Sequence, residues 1–168
     1  STLDVEAFRA LESGCLGRVI NGEPHFYHGN EHAPPLSGAC AALTGQPDLP
    51  RVDVLYACAG MPEDLARYSL ERAQGIVLAG MGNGSMPQRI CRELRTGMAA
   101  GLPVVRTSRT GSGPVTPLEE YADFIPGGML SPAKARVLLM LGLGTTQSDD
   151  ATFRLRHLRQ LFAVGGKL

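Results

Sequence analysis

The segment Gly80-Met-Gly-Asn-Gly-Ser85 puts small and polar groups where the apolar run Ile76 to Ala79 breaks off. Glycines at 80, 82 and 84 free the backbone to turn sharply and let a ligand approach the amides at the start of a following helix. On spacing alone the segment is either a tight strand-to-helix turn or a weak anion cradle. A dinucleotide site asks for glycine where Ser85 stands, and for an acidic residue at the end of the next strand to hold a ribose. That strand ends instead in Thr107, Ser108 and Arg109, so a nucleotide-binding oxidoreductase fragment ranks last among the readings. Two carboxylates, Glu119 and Glu120, follow in the next loop. Taken alone, they read as solvated loop acids.

Other reactive side chains form no pattern. Cys15, Cys40, Cys58 and Cys91 have no CxxC or Cys/His ligand spacing and read as free thiols. A Cys15–Cys40 disulfide stays open, so the cysteines do not fix the compartment. His25 and His28 fall on opposite faces of a strand, and with His32 they read as surface histidines rather than metal ligands. No metal or cofactor is called for.

The elements that must position these residues follow from the pattern. Asp4 is a fair N-cap for a short helix from Val5 to Leu11. Leu16 to Ile20 and Pro24 to Tyr27 flank Asn21-Gly22, the strongest short signal for a hairpin. Such a hairpin is marginal in water by itself and belongs in a larger sheet. Residues 31–50, with four prolines and no steady period, read as a linker.

From Arg51 the pattern alternates. Val52 to Ala57, Ile76 to Ala79 and Val104 to Thr107 are strands. Between them run one helix with Pro62 at its first position, reaching about Ala73, and another from Pro87 with Ile90, Leu94 and Met98 on one stripe. A βαβαβ order calls for a parallel sheet with helices on its faces. Ser131 and Pro132 open a helix through about Leu143, in which Val137 to Leu141 reads as part of an amphipathic stretch. Asp149 or Asp150 starts a last one, with Leu155, Leu158 and Phe162 on one face. The fold class is therefore α/β, a small three-layer domain with a parallel sheet.

Sixteen basic and sixteen acidic residues cancel within 168, which argues against nucleic acid or an acidic membrane surface as the main partner. No apolar run approaches the ~18 residues of a membrane span, and nothing at Ser1 reads as a signal peptide.

In combination, Gly82-Asn83-Gly84-Ser85, Ser108-Arg109 after a strand, and Ser131-Pro-Ala-Lys-Ala-Arg136 resemble the C-terminal domain of the bacterial type II L-asparaginases and glutaminase-asparaginases. The resemblance implies an organisation: residues 1–30 the end of the N-terminal domain (a short helix and hairpin), 31–50 a linker, and 51–168 the C-terminal domain. It also implies site residues. The last residue of the Gly-Asn-Gly-Ser motif, here Ser85, reaches into a neighbouring subunit's active site, and Asn83 belongs to the same substrate-binding turn. Glu120, with Glu119 as its adjacent competitor, accepts hydrogen bonds from the α-amino group of the bound amino acid. Met86-Pro87 departs from the family pattern, in which an aromatic residue often follows the motif.

The family's nucleophile motifs, Thr-Gly-Gly-Thr and Gly-Thr-Asp-Thr, are not among these residues, and Gly144-Thr145-Thr146 is no substitute. Its catalytic lysine is expected just before Ser1; Lys134 and Lys167 do not match it. The chain alone is thus expected to be inactive, with no catalytic residue of its own. The implied enzyme hydrolyses L-asparagine, or L-glutamine, to the acid and ammonia through threonine nucleophiles in the N-terminal half. The implied partners are that half, as a separate or cleaved chain, and further copies in a homotetramer. A periplasmic location is implied, with the cytoplasm as the alternative. The rival of another class is a non-catalytic α/β module derived from the family that binds a ligand or a protein.

Overall fold

The computed structural model describes residues 14–26, 43, 48–146, 148 and 150–166. The expected helix at Val5 to Leu11, nearly all of the linker, Cys40, His28 and His32 lie outside them. The chain divides into two compact units, Ser1–Ala33 and Pro34–Lys167, taken in turn.

The described part of the first unit is a hairpin of β1 (Gly17–Ile20) and β2 (Glu23–Phe26), paired antiparallel from Gly17↔Phe26 to Ile20↔Glu23. Asn21 and Gly22 both adopt positive φ, 52° and 86°, as a two-residue turn of this type requires. Leu16, Val19, Ile20 and Phe26 are all exposed.

The second unit is built on a four-stranded parallel sheet in the order β3 (Val52–Tyr56), β4 (Gly75–Gly80), β5 (Val104–Ser108), β6 (Ile125–Pro126). Every residue of β4 and β5 is buried; β4 reads accordingly as an apolar run, whereas β5 carries Arg106, Thr107 and Ser108 into the interior. Alternation along them divides the core. Ile76, Leu78 and Val104 face a cluster with Ile90, Leu94 and Phe124, while Val77 and Val105 face one with Leu139, Leu158 and Phe162. Each fully buried aliphatic side chain contributes roughly 1.5–3 kcal/mol.

The first layer holds α1 (Glu63–Leu70) and α2 (Gln88–Ala99); the second holds α3 (Pro132–Thr145) and α4 (Ala151–Gly165). Pro62 is the N-cap of α1, in extended conformation, rather than its first helical residue, and α1 ends at Leu70. Ser131 caps α3 through Lys134 N–H at 3.4 Å, and Asp150 caps α4 through Thr152 N–H at 2.8 Å. The middle of α3 is not amphipathic as expected. Leu139 is fully buried, yet Val137 is 52% exposed, with Leu138, Met140 and Leu141 partly buried around it. Apolar residues thus circle the whole helix. The strand β6 and a 3₁₀ turn at Glu119–Tyr121 were not expected from the sequence.

Candidate functional site

The site lies where β4 and β5 end at their carboxyl edge, the place where open α/β sheets bind ligands. Beyond β4, Met81 and Ser85 exchange two backbone hydrogen bonds of 2.8 Å and close a tight turn. Gly82 and Gly84 take positive φ, 50° and 75°, inside it. A Cβ on Gly80 would fall 2.6 Å from the Ser85 carbonyl oxygen, so the turn seats directly on that glycine. The Met81 and Ser85 amides are committed to each other, which removes two of the donors that a phosphate cradle would need. Ser85 itself is exposed at the mouth of the turn.

Asn83 is half-buried and faces the loop after β5. Its Oδ1 accepts from the Thr116 amide at 2.8 Å, and its Nδ2 donates to Thr116 Oγ1 at 2.9 Å. This pair of bonds pins the Gly82–Ser85 turn to residues 115–116. The loop is held from its other side by Val115 and Gly128, which exchange backbone bonds of 2.9 and 3.2 Å.

Beneath both loops lies Arg106, third residue of β5 and only 1% exposed. Its Nη1 donates to the Asn83 carbonyl and its Nη2 to the Thr116 carbonyl at 2.7 Å. Its guanidinium carbon stands 4.6 Å from the centre of the Tyr121 ring, within cation–π range. Its Nε is buried and has no partner among the described residues. Burial pushes the Arg106 guanidinium below its ordinary range, partly offset by Tyr121 and by the negative charge of Glu120.

Tyr121 links the two predicted site segments. Its phenol is pushed above the usual range, first by burial and next by the charge of Glu120, against the opposing influence of the Met86 backbone amide. Its ring meets Phe124 edge-on, with centroids 5.7 Å apart and an interplanar angle of 87°. Glu120 is exposed in the 3₁₀ turn, where its carbonyl accepts from Arg95 Nη2 at 2.6 Å. Arg95 is held in turn by Asp123 at 2.7 Å. Glu120 is the acid whose charge reaches both Arg106 and Tyr121.

Asn83 and Ser85 therefore share one turn, and Glu120 sits on the loop tied to that turn through Arg106 and Tyr121. Sequence reasoning missed Arg106, Thr116 and Tyr121. A signal existed for Arg106 alone: a charge in the middle of a strand expected to be buried must find partners. A groove of about 720 Å³ at the opposite edge of the sheet, lined by Met98, Leu102 and Leu155, shares only Arg95 and Asp123 with this arrangement. Cys15, Cys58 and Cys91 are free thiols.

Residues 51–155 match the family described as the glutaminase/asparaginase C-terminal domain. The chain is 33% identical over 157 residues to the L-asparaginase 2 of Bacillus subtilis strain 168, covering 89% of this chain and 40% of that protein. It is 32% identical over 169 aligned positions to the L-asparaginase 2 of Escherichia coli K12, covering 96% of this chain and 46% of that protein. With the L-asparaginase 2-1 of Saccharomyces cerevisiae it shares 33% identity over 154 residues, 83% of this chain and 40% of the other. The chain spans less than half the length of these curated relatives. An α/β unit with this carboxyl-edge turn, matched across 51–155, belongs to the glutaminase/asparaginase C-terminal domain family.

Proposed function

We propose that this chain is the C-terminal part of an amidohydrolase that releases ammonia from L-asparagine or L-glutamine. Its task is to clamp the amino-acid end of the substrate. Glu120, an exposed carboxylate, accepts from the substrate α-ammonium, a charge-assisted contact of the kind that orients a cation. Ser85 adds a hydroxyl from the mouth of the neighbouring turn. Asn83 contributes the amide hydrogen that Thr116 does not use, and its other polar atoms brace the turn.

The observation that carries this reading is the linkage of the Ser85 turn to the Glu120 loop at the carboxyl edge of the sheet. Such a linkage keeps two binding groups at a fixed separation, which is what a clamp for a small ligand requires. The names of the matched relatives supply the substrate class. The remaining chemistry follows the family resemblance. A threonine hydroxyl in the N-terminal half attacks the side-chain amide, ammonia leaves, and water resolves the acyl-enzyme, with backbone amides holding the oxyanion.

Residues 1–30 then form the end of the N-terminal domain, 31–50 a linker, and 51–168 the C-terminal domain. The exposed Leu16, Val19, Ile20 and Phe26 of the hairpin make up a surface that another part of the assembly would cover. The assembly is a homotetramer in which Ser85 and Glu120 serve a neighbouring subunit, located in the periplasm. Without the N-terminal half, the chain is inactive.

The test is ammonia release by the chain combined with a family N-terminal half. Glu120→Ala raises KM for asparagine about 10–100-fold, the worth of one hydrogen bond to a charged group. An unchanged KM in both Glu120→Ala and Ser85→Ala would overturn the clamp, and no ammonia release from the combined halves would leave a non-catalytic module.

A further inference from the structure

We infer that Arg106 is the positioning residue of this site: it locks the Asn83–Ser85 turn and the Thr116–Glu120 loop into one rigid clamp. The inference rests on the proposed function, because it names what holds the two binding groups in register.

Burying a guanidinium is costly, and a methionine or leucine would fill the same volume without that cost. An arginine at this place must be judged by where its donors go. Neither bond goes to a carboxylate or to the helices that make the core. Both go to carbonyls of the two loops, at Asn83 and Thr116. The third nitrogen, Nε, is buried and has no partner among the described residues, so the group is placed for the two loops rather than for its own full satisfaction.

Three neighbours fit the same account. Gly84 has no Cβ, and one built there would meet Arg106 Cγ at 2.7 Å, so the turn closes over the arginine stem only with glycine. The guanidinium carbon lies over the ring of Tyr121, the residue after Glu120, so it restrains the far end of the loop as well. The Arg106 carbonyl accepts from Gly127 N–H at 2.8 Å, next to the Val115–Gly128 bridge that closes that loop. One residue therefore contacts the first loop at one carbonyl and the second at its start, its end and its return.

The experiment has two readouts. Amide hydrogen exchange on this chain compares the native sequence with Arg106→Lys, which keeps the charge and loses the fork. Exchange accelerates about tenfold or more in segments 81–86 and 113–121 together, with β3 and β4 unchanged, in line with the loss of a charged hydrogen bond. Unchanged exchange in either segment, or an equal acceleration everywhere, would overturn the inference. With an N-terminal half supplied, Arg106→Lys raises KM for asparagine about tenfold while kcat stays within about twofold. A merely structural arginine would lower apparent kcat through lost folded protein and leave KM alone. If Ser85→Ala and Glu120→Ala leave KM unchanged, the proposed function fails whatever Arg106 does. If they raise KM and Arg106→Lys does not, the positioning role fails. Should Arg106→Lys not fold, Gly84→Ala reports on the same contact by the same two measurements.

Discussion

The guanidinium of Arg106 lies 4.6 Å from the centre of the Tyr121 ring while its two terminal nitrogens hold the carbonyls of Asn83 and Thr116. One buried side chain thus touches the segment before Ser85 and the residue after Glu120. Strands β4 and β5 are adjacent in the sheet and end at the same edge. Their loops therefore meet above Arg106, and the parallel topology explains why residues 83–85 and 116–121 share a site.

Gly84 and Gly82 separate strain from contact. Both have positive φ, 75° and 50°, but an added Cβ meets Arg106 Cγ at 2.7 Å only at Gly84, with nothing within 4 Å at Gly82. Gly82→Ala costs about 1–2 kcal/mol from backbone strain alone. Gly84→Ala costs about 1–3 kcal/mol more, as overpacking does. Urea denaturation of the two variants checks the order.

Tyr121 makes an alkaline signature. The folded chain holds the phenol proton more tightly than the unfolded chain, through burial first and the charge of Glu120 next. Its contribution to stability is complete below the unfolded value, about pH 10, and is lost as pH rises through the higher folded value. Tyr121→Phe keeps the ring over which Arg106 sits and removes the titration. Denaturation midpoints above about pH 10 should fall less steeply in Tyr121→Phe than in the native sequence.

Asp123 acts on the acid side. Its hydrogen bond from Arg95 holds the carboxyl below its ordinary range, so its stabilising effect is present above about pH 4 and lost as pH falls through the lower folded value. The side chains are 42% and 40% exposed, so the pair contributes only about 0.2–1 kcal/mol, less in high salt. Asp123→Asn should flatten the acid limb slightly. It should also loosen Glu120, whose carbonyl Arg95 holds at 2.6 Å, and so raise KM in the assembled enzyme more than it lowers stability.

Leu139 tests the opposite layer. Fully buried on α3 against Val77 and Leu158, it should cost about 2–5 kcal/mol when replaced by alanine. Arg106 packs against Tyr121, which belongs to the other core layer, so KM should stay near its native value in whatever protein remains folded. Calorimetry together with initial rates checks this separation.

Much of the fold was legible because local and tertiary preferences agree. Val52, Ile76 and Val104 lie in strands that their branched side chains favour, Asn21-Gly22 makes its hairpin turn, and Ser131 and Asp150 cap the helices as expected. Ile125 and Pro126 were not legible. Two residues carry no period, and they become a strand only because Val105 and Arg106 offer them an edge. Pro62 was misplaced by one position because proline suits both the cap and the first turn. The family resemblance singled out Asn83, Ser85 and Glu120, whereas Thr116 and Tyr121 matter only through neighbours distant in sequence.

The most direct test of the central claim, that Ser85 and Glu120 complete a neighbouring subunit's active site, is complementation in a mixed oligomer. One subunit carries Glu120→Ala with an intact N-terminal threonine nucleophile; the other keeps Glu120 and has the nucleophile replaced. Mixing should restore ammonia release at low asparagine concentration, where neither subunit alone gives it. Activity no greater than the sum of the two separate preparations, with mixed oligomers present, would contradict it.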